Sequence, residues 1–315
     1  MPKAAAETVE IAGIALTHPD RVLRQKHGSS MATISISSMN PLAGGDERSV
    51  VEDSDEISLL AGIYALYAKA AIRIVGIGCP AADWVQGGLT MKELNEEHFA
   101  ILRRHMVEVI AINVELASEE LDKAALDERV IAALRQVPRH HFVPQPFAPY
   151  AYYDRPLPIG FDKTISQPFL VAVMTDLLDP QPHEVVLEIG TGLGYQAAVL
   201  AELVSQVWSV EVIEEFAAAA EARLRRLGYT HVGIRVGDGS RGWAEHAPFD
   251  KIIVTAAAER MPTALIEQLK PGGRMVLPMG PPEMQKLTVI DKDAAGRTGI
   301  RQLIPVRFSL LETIQ

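Results

Sequence analysis

Cysteine is nearly absent from this sequence, since the 315 residues include only one, Cys79. A single cysteine can form neither an intrachain disulfide nor a thiolate zinc site, and such scarcity is typical of proteins in a reducing compartment. The first residues, MPKAAAETVE, also lack the charged and apolar regions of a secretory signal. We therefore expect a cytoplasmic protein.

Basic charge and long apolar runs are scarce too. The chain has 30 Lys and Arg against 40 Asp and Glu, a net charge of −10. Because phosphate binding needs a basic face, we expect no nucleic-acid partner. The most apolar uncharged run, 57–68, has 12 residues, whereas a bilayer core needs roughly 20. We therefore interpret 57–78 as a buried helix followed by a short strand, and expect no membrane association.

The composition changes near residue 90. Residues 1–55 are rich in Ser, Gly, Ala and acid, and 46–56 carries six acidic residues and one basic residue, as in a solvated linker. We predict that 1–90 is a partly disordered N-terminal extension of unknown role. Three interpretations of it stay open: an accessory segment, a vestigial fusion, or an upstream start codon with the true start near Met91. The functional domain is expected over 91–315.

Within that domain we predict N-terminal helices over 91–137 and a sheet over 183–315. Thr90 and Glu93 form a capping-box pattern that predicts a helix over 91–116, and a second helix is expected at 128–136. Further on, strand patterns at 185–189, 206–212, 234–236, 251–256 and 274–279 alternate with helix patterns at 196–204, 214–227 and 262–269, before a final antiparallel pair at 285–290 and 300–308. This alternation predicts an α/β fold with a mostly parallel sheet, helices on both faces and a C-terminal antiparallel hairpin.

A glycine loop follows the first of these strands. Glu188 precedes Gly190, Gly192 and Gly194, and a helix pattern comes next. Glycines let the backbone turn sharply and approach a ligand, and a helix N-terminus is electropositive. A dinucleotide fingerprint would need glycine at Tyr195, so the frame E-x-G-x-G-x-G instead favours the nucleoside pocket of S-adenosylmethionine-dependent methyltransferases.

Acidic residues end the next two strands. Glu211 lies 21 residues after Gly190, at a position where an acid accepts hydrogen bonds from ribose hydroxyls. Asp238 and Gly239 follow the third strand, where a carboxylate can meet an adenine amino group. The ordered set indicates a nucleoside cofactor more strongly than the glycines alone, since glycines in such turns are often only structural.

Other segments narrow the class of enzyme. They are VPRHHFVP (137–144), AYYDRPLPIG (151–160), KTISQP (163–168), GDGSRGW (237–243), FDKIIVTAAA (249–258) and LKPGGRMVLPMG (269–280). Together they closely resemble the protein-L-isoaspartate O-methyltransferase family, in unbroken order over roughly 126–308. The TIS segment and the VPRH…PLPIG lead-in are characteristic of that family, whereas many methyltransferases share the glycine loop.

The resemblance implies a Rossmann-like methyltransferase that uses S-adenosylmethionine. Members of that family methylate the abnormal carboxylate of isoaspartyl residues, which arise when Asn deamidates or Asp isomerises. The methyl ester closes to a succinimide without the enzyme, and hydrolysis returns some normal aspartate. The implied function is the repair of damaged proteins, with isoaspartyl peptides and proteins as substrates.

The resemblance also implies residue roles. Ser166 is expected to be the active-site residue that holds the isoaspartyl carboxylate or shapes its pocket. The expected cofactor-binding residues are Thr164, Ile165, Glu188, Gly190, Gly192, Gly194, Glu211, Asp238 and Gly239. Thr255, Ala256 and Ala257 are expected beside the substrate backbone. A carboxylate is already ionised at neutral pH, so no strong general base is needed.

Some alternatives stay open. Lys163 stands where many family members carry a neutral amide, so it could attract the peptide carboxylate or change substrate choice. Ser166 could simply cap a helix that starts near Pro168. His140 and His141 are adjacent and lack a further ligand at useful spacing, so we expect no metal site. The alternative functions are a methyltransferase of the same fold for small carboxylic acids or hydroxyls, and a non-catalytic module that binds S-adenosylmethionine and peptide. The oligomeric state is not assigned.

Overall fold

The computed structural model describes residues 8–11, 14–17, 22–27, 30–35 and 94–313. The chain divides into two compact units, 1–90 and 91–315. The apolar run 57–68, the acidic segment 46–56 and the predicted capping box at 90–93 lie outside the described residues. The predicted partial disorder of residues 1–90 stays a prediction.

The first unit contains a small antiparallel sheet. Its strands are β1 (Thr8–Ile11), β2 (Ile14–Thr17), β3 (Val22–His27) and β4 (Ser30–Ser35). Each strand pairs with the next along the chain. The sequence did not predict this sheet, because a composition rich in Ser, Gly, Ala and acid suggested a solvated segment.

Helices open the second unit. They are α1 (Glu96–Leu116), α2 (Ser118–Leu121) and α3 (Glu128–Gln136). The start predicted for α1 at residue 91 was wrong. The helix begins at Glu96, because the Asn95 side chain accepts from the His98 amide at 3.0 Å and His98 Nδ1 accepts from the Asn95 amide at 3.2 Å. This reciprocal pair satisfies amides that a helix start otherwise leaves unbonded.

A hairpin and a helix connect these helices to the main sheet. The hairpin consists of β5 (Leu157–Gly160) and β6 (Lys163–Ile165), and α4 (Pro168–Leu178) follows. The main sheet contains β7 (Val185–Ile189), β8 (Gln206–Glu211), β9 (Val232–Val236), β10 (Phe249–Val254), β11 (Leu269–Met279), β12 (Lys286–Lys292) and β13 (Thr298–Pro305). Its intervening helices are α5 (Tyr195–Ala201), α6 (Glu214–Arg226) and α7 (Thr263–Gln268).

The spatial order of the sheet is β13-β12-β11-β10-β7-β8-β9. Strands β7 to β11 pair in parallel, and β12 and β13 add an antiparallel hairpin at one edge. Alternate residues of β7 are buried on opposite faces of the sheet. Val186 packs in one core cluster with α4 and α5, whereas Leu187 packs in another with α7. The predicted fold class is therefore confirmed.

One strand differs from its prediction. The sequence Pro271-Gly272-Gly273 suggested a break before a strand at 274, but β11 runs from Leu269 to Met279. Its N-terminal part pairs with β10, and the register shifts between Phe249 and Lys251. Within the residues that the structure describes, no helix is both long and apolar enough to cross a membrane.

Candidate active site

A large cavity lies where the strand order of the main sheet reverses. Strand β7 lies between β8, the next strand along the chain, and β10, which comes later in the chain. In open α/β sheets, ligands bind at the carboxyl ends of the strands at such a point. A cavity of about 1070 Å³ opens there, and the β5–β6 hairpin and segment 304–312 also line it. Its volume is at the upper end for a small-molecule site.

The glycine loop needs glycine at its first position. Gly190 has a φ of +92°, and a Cβ built on it would lie 2.4 Å from Thr255 Oγ1. That hydroxyl donates to the Gly190 carbonyl at 2.7 Å. The loop backbone therefore lies directly against β10, and no larger residue fits without moving Thr255.

Glu211 ends β8 at the cavity wall and is 6% exposed. Its Oε2 accepts from the Gly192 amide at 2.7 Å and its Oε1 accepts from the Ile213 amide at 3.0 Å. These bonds hold the glycine loop and the start of α6 around one carboxylate. The carboxylate is thus fixed in place at the position where the sequence predicted it.

Glu188 lies behind the loop and not on the cavity wall. Its side chain is fully buried, Oε2 accepts from Ser209 Oγ, and Oε1 has no partner among the residues that the structure describes. Burial raises the pKa of Glu188 to about 8; the Ser209 hydrogen bond lowers it and the charge of Glu211 raises it further. Glu188 is therefore a buried polar group beneath the loop.

Gly239, which follows strand β9, lines the cavity. A Cβ on Gly239 would lie 2.4 Å from Ile189 Cγ2, so the backbone passes close over β7. Asp238 is 9% exposed, and its Oδ1 accepts from the Ser240 amide at 2.9 Å and from Ser240 Oγ at 2.6 Å. The Asp238 carboxylate therefore caps the short turn at Gly239–Arg241.

Ser166 lies between β6 and α4, and a buried arginine holds its backbone. Arg139 Nη2 donates to the Ser166 carbonyl at 2.6 Å, and Nε donates to the Ala151 carbonyl at 2.8 Å. The guanidinium lies 4.7 Å from the ring centroid of Tyr195. Burial lowers the pKa of Arg139 to about 10, so the group stays charged at neutral pH.

Asp154 holds the start of α4. Its Oδ1 accepts from the Phe169 amide at 2.8 Å, and its Oδ2 accepts from Asn113 Nδ2 at 2.8 Å and from Gln167 Nε2 at 3.0 Å. Asp154 thus supplies the cap that was considered for Ser166, and that alternative was wrong. None of the described residues bonds the Ser166 hydroxyl, and Ser166 lines the cavity.

Charged groups flank the mouth of the cavity. Lys163 Nζ forms an ion pair with Glu312, and both residues line the cavity. The hairpin turn before Lys163 places Phe161 and Asp162 at φ values of +50° and +55°. Phe161 is exposed and packs edge-to-face on Phe216 with ring centroids 5.3 Å apart.

Comparisons with known proteins identify the family of this chain. The family described as Protein-L-isoaspartate(D-aspartate) O-methyltransferase matches residues 113–313. A protein of Polaromonas sp. (strain JS666 / ATCC BAA-500), named protein-L-isoaspartate O-methyltransferase 1, is 57% identical over 219 residues, covering 70% of this chain and 93% of that protein. This chain belongs to the protein-L-isoaspartate O-methyltransferase family.

Solved structures also resemble this family member. One named protein-L-isoaspartate O-methyltransferase has a TM-score of 0.57 and 27% identity, with 66% of this chain and 65% of that chain covered. A Plasmodium falciparum chain, solved with S-adenosyl-L-homocysteine, has a TM-score of 0.54 and 21% identity, with 67% of this chain and 98% of that chain covered. Both likenesses confirm the predicted Rossmann-like fold.

In this family member the cavity brings together most of the predicted site residues. Those that line it are Thr164, Ile165, Ser166, Gly190, Gly192, Glu211, Gly239, Thr255 and Ala256. Four predicted residues do not line it, namely Glu188, Gly194, Asp238 and Ala257. Gly194 instead is the N-cap residue of α5, with a φ of +94°, and packs toward Leu224 and Ala220 of α6.

Ala257 already has a backbone partner within the chain. Its amide donates to the Ser309 carbonyl and its carbonyl accepts from the Leu311 amide, both at 2.8 Å. The backbone of Ala257, which was expected beside the substrate backbone, is therefore already paired with segment 309–311. The sequence could not show this, because the pairing joins positions more than fifty residues apart.

Proposed function

We propose that this chain transfers a methyl group from S-adenosylmethionine to the free carboxylate of L-isoaspartyl residues in damaged proteins. The ester then closes to a succinimide, and hydrolysis returns some normal aspartate. The observation that carries the proposal is one cavity that joins the glycine loop and Glu211 to Ser166. The 57% identity to a protein of that name supports the same acceptor.

The residues present fit the cofactor. Glu211 offers a fixed carboxylate for ribose hydroxyls, and the close approach of Gly190 to Thr255 leaves backbone, not side chain, facing the ligand. Gly192 continues the cavity wall that the Gly190 backbone forms, and Gly239 leaves space for the ligand after β9. When bound, S-adenosylmethionine supplies an electrophilic methyl group on its sulfonium.

The remaining proposed cofactor residues act at the edges of this pocket. Thr164 and Ile165 line the side of the cavity next to the hairpin. Asp238 acts through the turn that it caps, which places Gly239 near the adenine. Glu188 and Gly194 act from behind the loop, because their positions fix its backbone.

Ser166 holds the acceptor carboxylate through its hydroxyl. The carboxylate is already ionised at neutral pH, so the chain needs to orient it and exclude water, not deprotonate it. Arg139 and Asp154 fix the backbone on both sides of Ser166 and are positioning residues. Thr255 and Ala256 provide small side chains beside the substrate, and segment 304–312 forms part of the cavity wall.

A transfer assay with matched peptides tests the acceptor. The full chain is incubated with methyl-labelled S-adenosylmethionine and two peptides that differ only in isoaspartate or aspartate. Base-labile methyl ester on the isoaspartyl peptide alone is the expected result. Cofactor binding without transfer would identify the binding module, and transfer only to small carboxylic acids or hydroxyls would identify the other enzyme.

Two substitutions test the residue roles. Ser166→Ala should lower kcat/KM about tenfold to a hundredfold, the effect of losing one hydrogen bond to a charged group, and leave cofactor affinity unchanged. Glu211→Ala should weaken cofactor binding. Ser205→Ala is the matched control, because Ser205 bonds the Glu184 carbonyl away from the cavity.

The cellular setting follows from the composition. A chain with one cysteine and a net charge of −10 suits the cytoplasm and does not suit a nucleic-acid partner. Residues 1–90 remain, in this proposal, an extension outside the catalytic domain of 91–315.

A further inference from the structure

Two imidazoles and one carboxylate converge away from the cavity. His140 and His141 belong to the short helical turn Arg139–Phe142, and Glu96 opens α1. His140 Nε2 lies 3.2 Å and His141 Nε2 lies 3.9 Å from the same atom, Glu96 Oε2. One ligand atom from each of the three residues lies within 4.8 Å of the other two. Glu96 is 44 positions from His140, so sequence spacing could not show this third group.

The donor set and its spacing suit a divalent transition metal. Two His nitrogens and a carboxylate oxygen are a recurrent set for Zn²⁺, with metal–ligand distances of about 2.0–2.2 Å. Donors at that distance in a tetrahedron lie about 3.3 Å apart, close to the 3.2 Å already present between His140 and Glu96. His141 and Glu96 are 34% and 65% exposed, so rotation of their side chains can close the longer separation.

His140 is held as a metal-binding His usually is. Its Nδ1 is hydrogen-bonded to Tyr152 Oη at 2.8 Å, and Arg103 Nη1 donates to the same hydroxyl oxygen at 3.2 Å. The His140 ring stacks on Phe99 with centroids 3.9 Å apart. A bond at one ring nitrogen fixes the ring and directs the other nitrogen outward, the arrangement that orients metal ligands.

We propose that Glu96, His140 and His141 form a Zn²⁺ site whose fourth position is open to water. The metal would join the first turn of α1 to the turn that carries Arg139. Because Arg139 holds the Ser166 carbonyl, the metal stabilises the support of the active site without entering it. None of the three ligands lines the cavity.

Metal binding by the full chain tests the proposal without cofactor or peptide. Titration with Zn²⁺ should give one tight site per chain, and Co²⁺ should give the intense visible bands of a four-coordinate site. Glu96→Gln and His141→Ala should each weaken Zn²⁺ binding at least about tenfold and remove those bands. His105→Ala is the matched control, because His105 pairs with Glu108 on the same helix and no third donor joins them among the described residues.

Tyr152→Phe is a second variant, which changes none of the three proposed ligands. It keeps the ring and removes the hydroxyl that orients His140, and loss of such a partner typically costs about tenfold or more in metal affinity. Zn²⁺ should also raise the Tm of the wild-type chain but not that of His141→Ala. Absence of tight binding, or binding that Glu96→Gln and His141→Ala leave intact, would overturn the proposal and would leave the methyltransferase function unaffected.

Discussion

Gly190 is a residue of the site where a side chain does not fit. A methyl group there would meet Thr255 Oγ1 at 2.4 Å, and the φ of +92° is strained for any L side chain. We expect Gly190→Ala to lower the free energy of unfolding through backbone strain, and the collision with Thr255 should lower it by about 1 kcal/mol or more in addition. Cofactor affinity should fall as well. Urea unfolding and calorimetric titration measure these two effects.

Gly272→Ala separates strain from collision. Gly272 has a similar φ of +81°, and a Cβ there would meet nothing within 4 Å. The difference between the two variants therefore reports the contact with Thr255. Equal destabilisation by both substitutions would show that the close approach of the loop to β10 has no energetic weight.

The raised pKa of Glu188 predicts that the stability of the fold depends on pH. Its pKa is about 8 in the fold against an ordinary value of 4.5, so the folded state binds more protons between these values. Stability is therefore expected to fall as pH rises from about 4.5 to 8. Glu188→Gln stays neutral and should stabilise the chain more at pH 8 than at pH 5. Urea unfolding at both pH values checks this, and an equal effect at both would refute it.

At the scale of elements, the sequence predicted most of the sheet. Buried parallel strands such as β7 and β10 are apolar runs, and their order with the intervening helices is readable from periodicity. The glycine loop and Glu211 were found because strand ends in this fold meet at one edge. These features depend on local pattern, which a single sequence contains.

The supports of Ser166 could not be predicted in the same way. Arg139 lies 27 positions from Ser166 and Asp154 lies 15 positions from Phe169, so their bonds exist only after the chain folds. The pairing of Ala257 with segment 309–311 has the same cause. Arg139 stood within a motif typical of the family, but nothing in the motif showed that the side chain is buried.

The β5–β6 hairpin predicts a charge effect on substrate binding. Lys163 places a cation at the cavity mouth, where Glu312 is its partner within the chain. We expect Lys163→Gln to raise the KM for acidic isoaspartyl peptides about threefold with little change in kcat, since exposed ion pairs contribute about 0.2–1 kcal/mol.

Glu312→Gln should act in the opposite direction, because it removes the competing carboxylate. Both effects should shrink at high ionic strength. Steady-state kinetics at two salt concentrations measure them. An unchanged KM in both variants would show that the mouth charges do not contact substrate.

At the scale of the whole molecule, the two units of the chain can be tested separately. The family match covers 113–313 and lies within the second unit, 91–315. A chain that begins at Met91 should fold cooperatively and bind S-adenosylmethionine as the full chain does. Circular dichroism melts and calorimetric titration test this. Loss of folding or of cofactor binding would show that residues 1–90 are part of the catalytic unit.

Conversion of an isoaspartyl peptide to its aspartyl form by the full chain tests the proposed repair function most directly. The peptide is incubated with the chain and S-adenosylmethionine, and the isoaspartyl, succinimidyl and aspartyl forms are separated by chromatography. We predict that the aspartyl form accumulates only when the cofactor is present. An isoaspartyl peptide that stays unchanged, while the chain binds the cofactor, would contradict the proposed function.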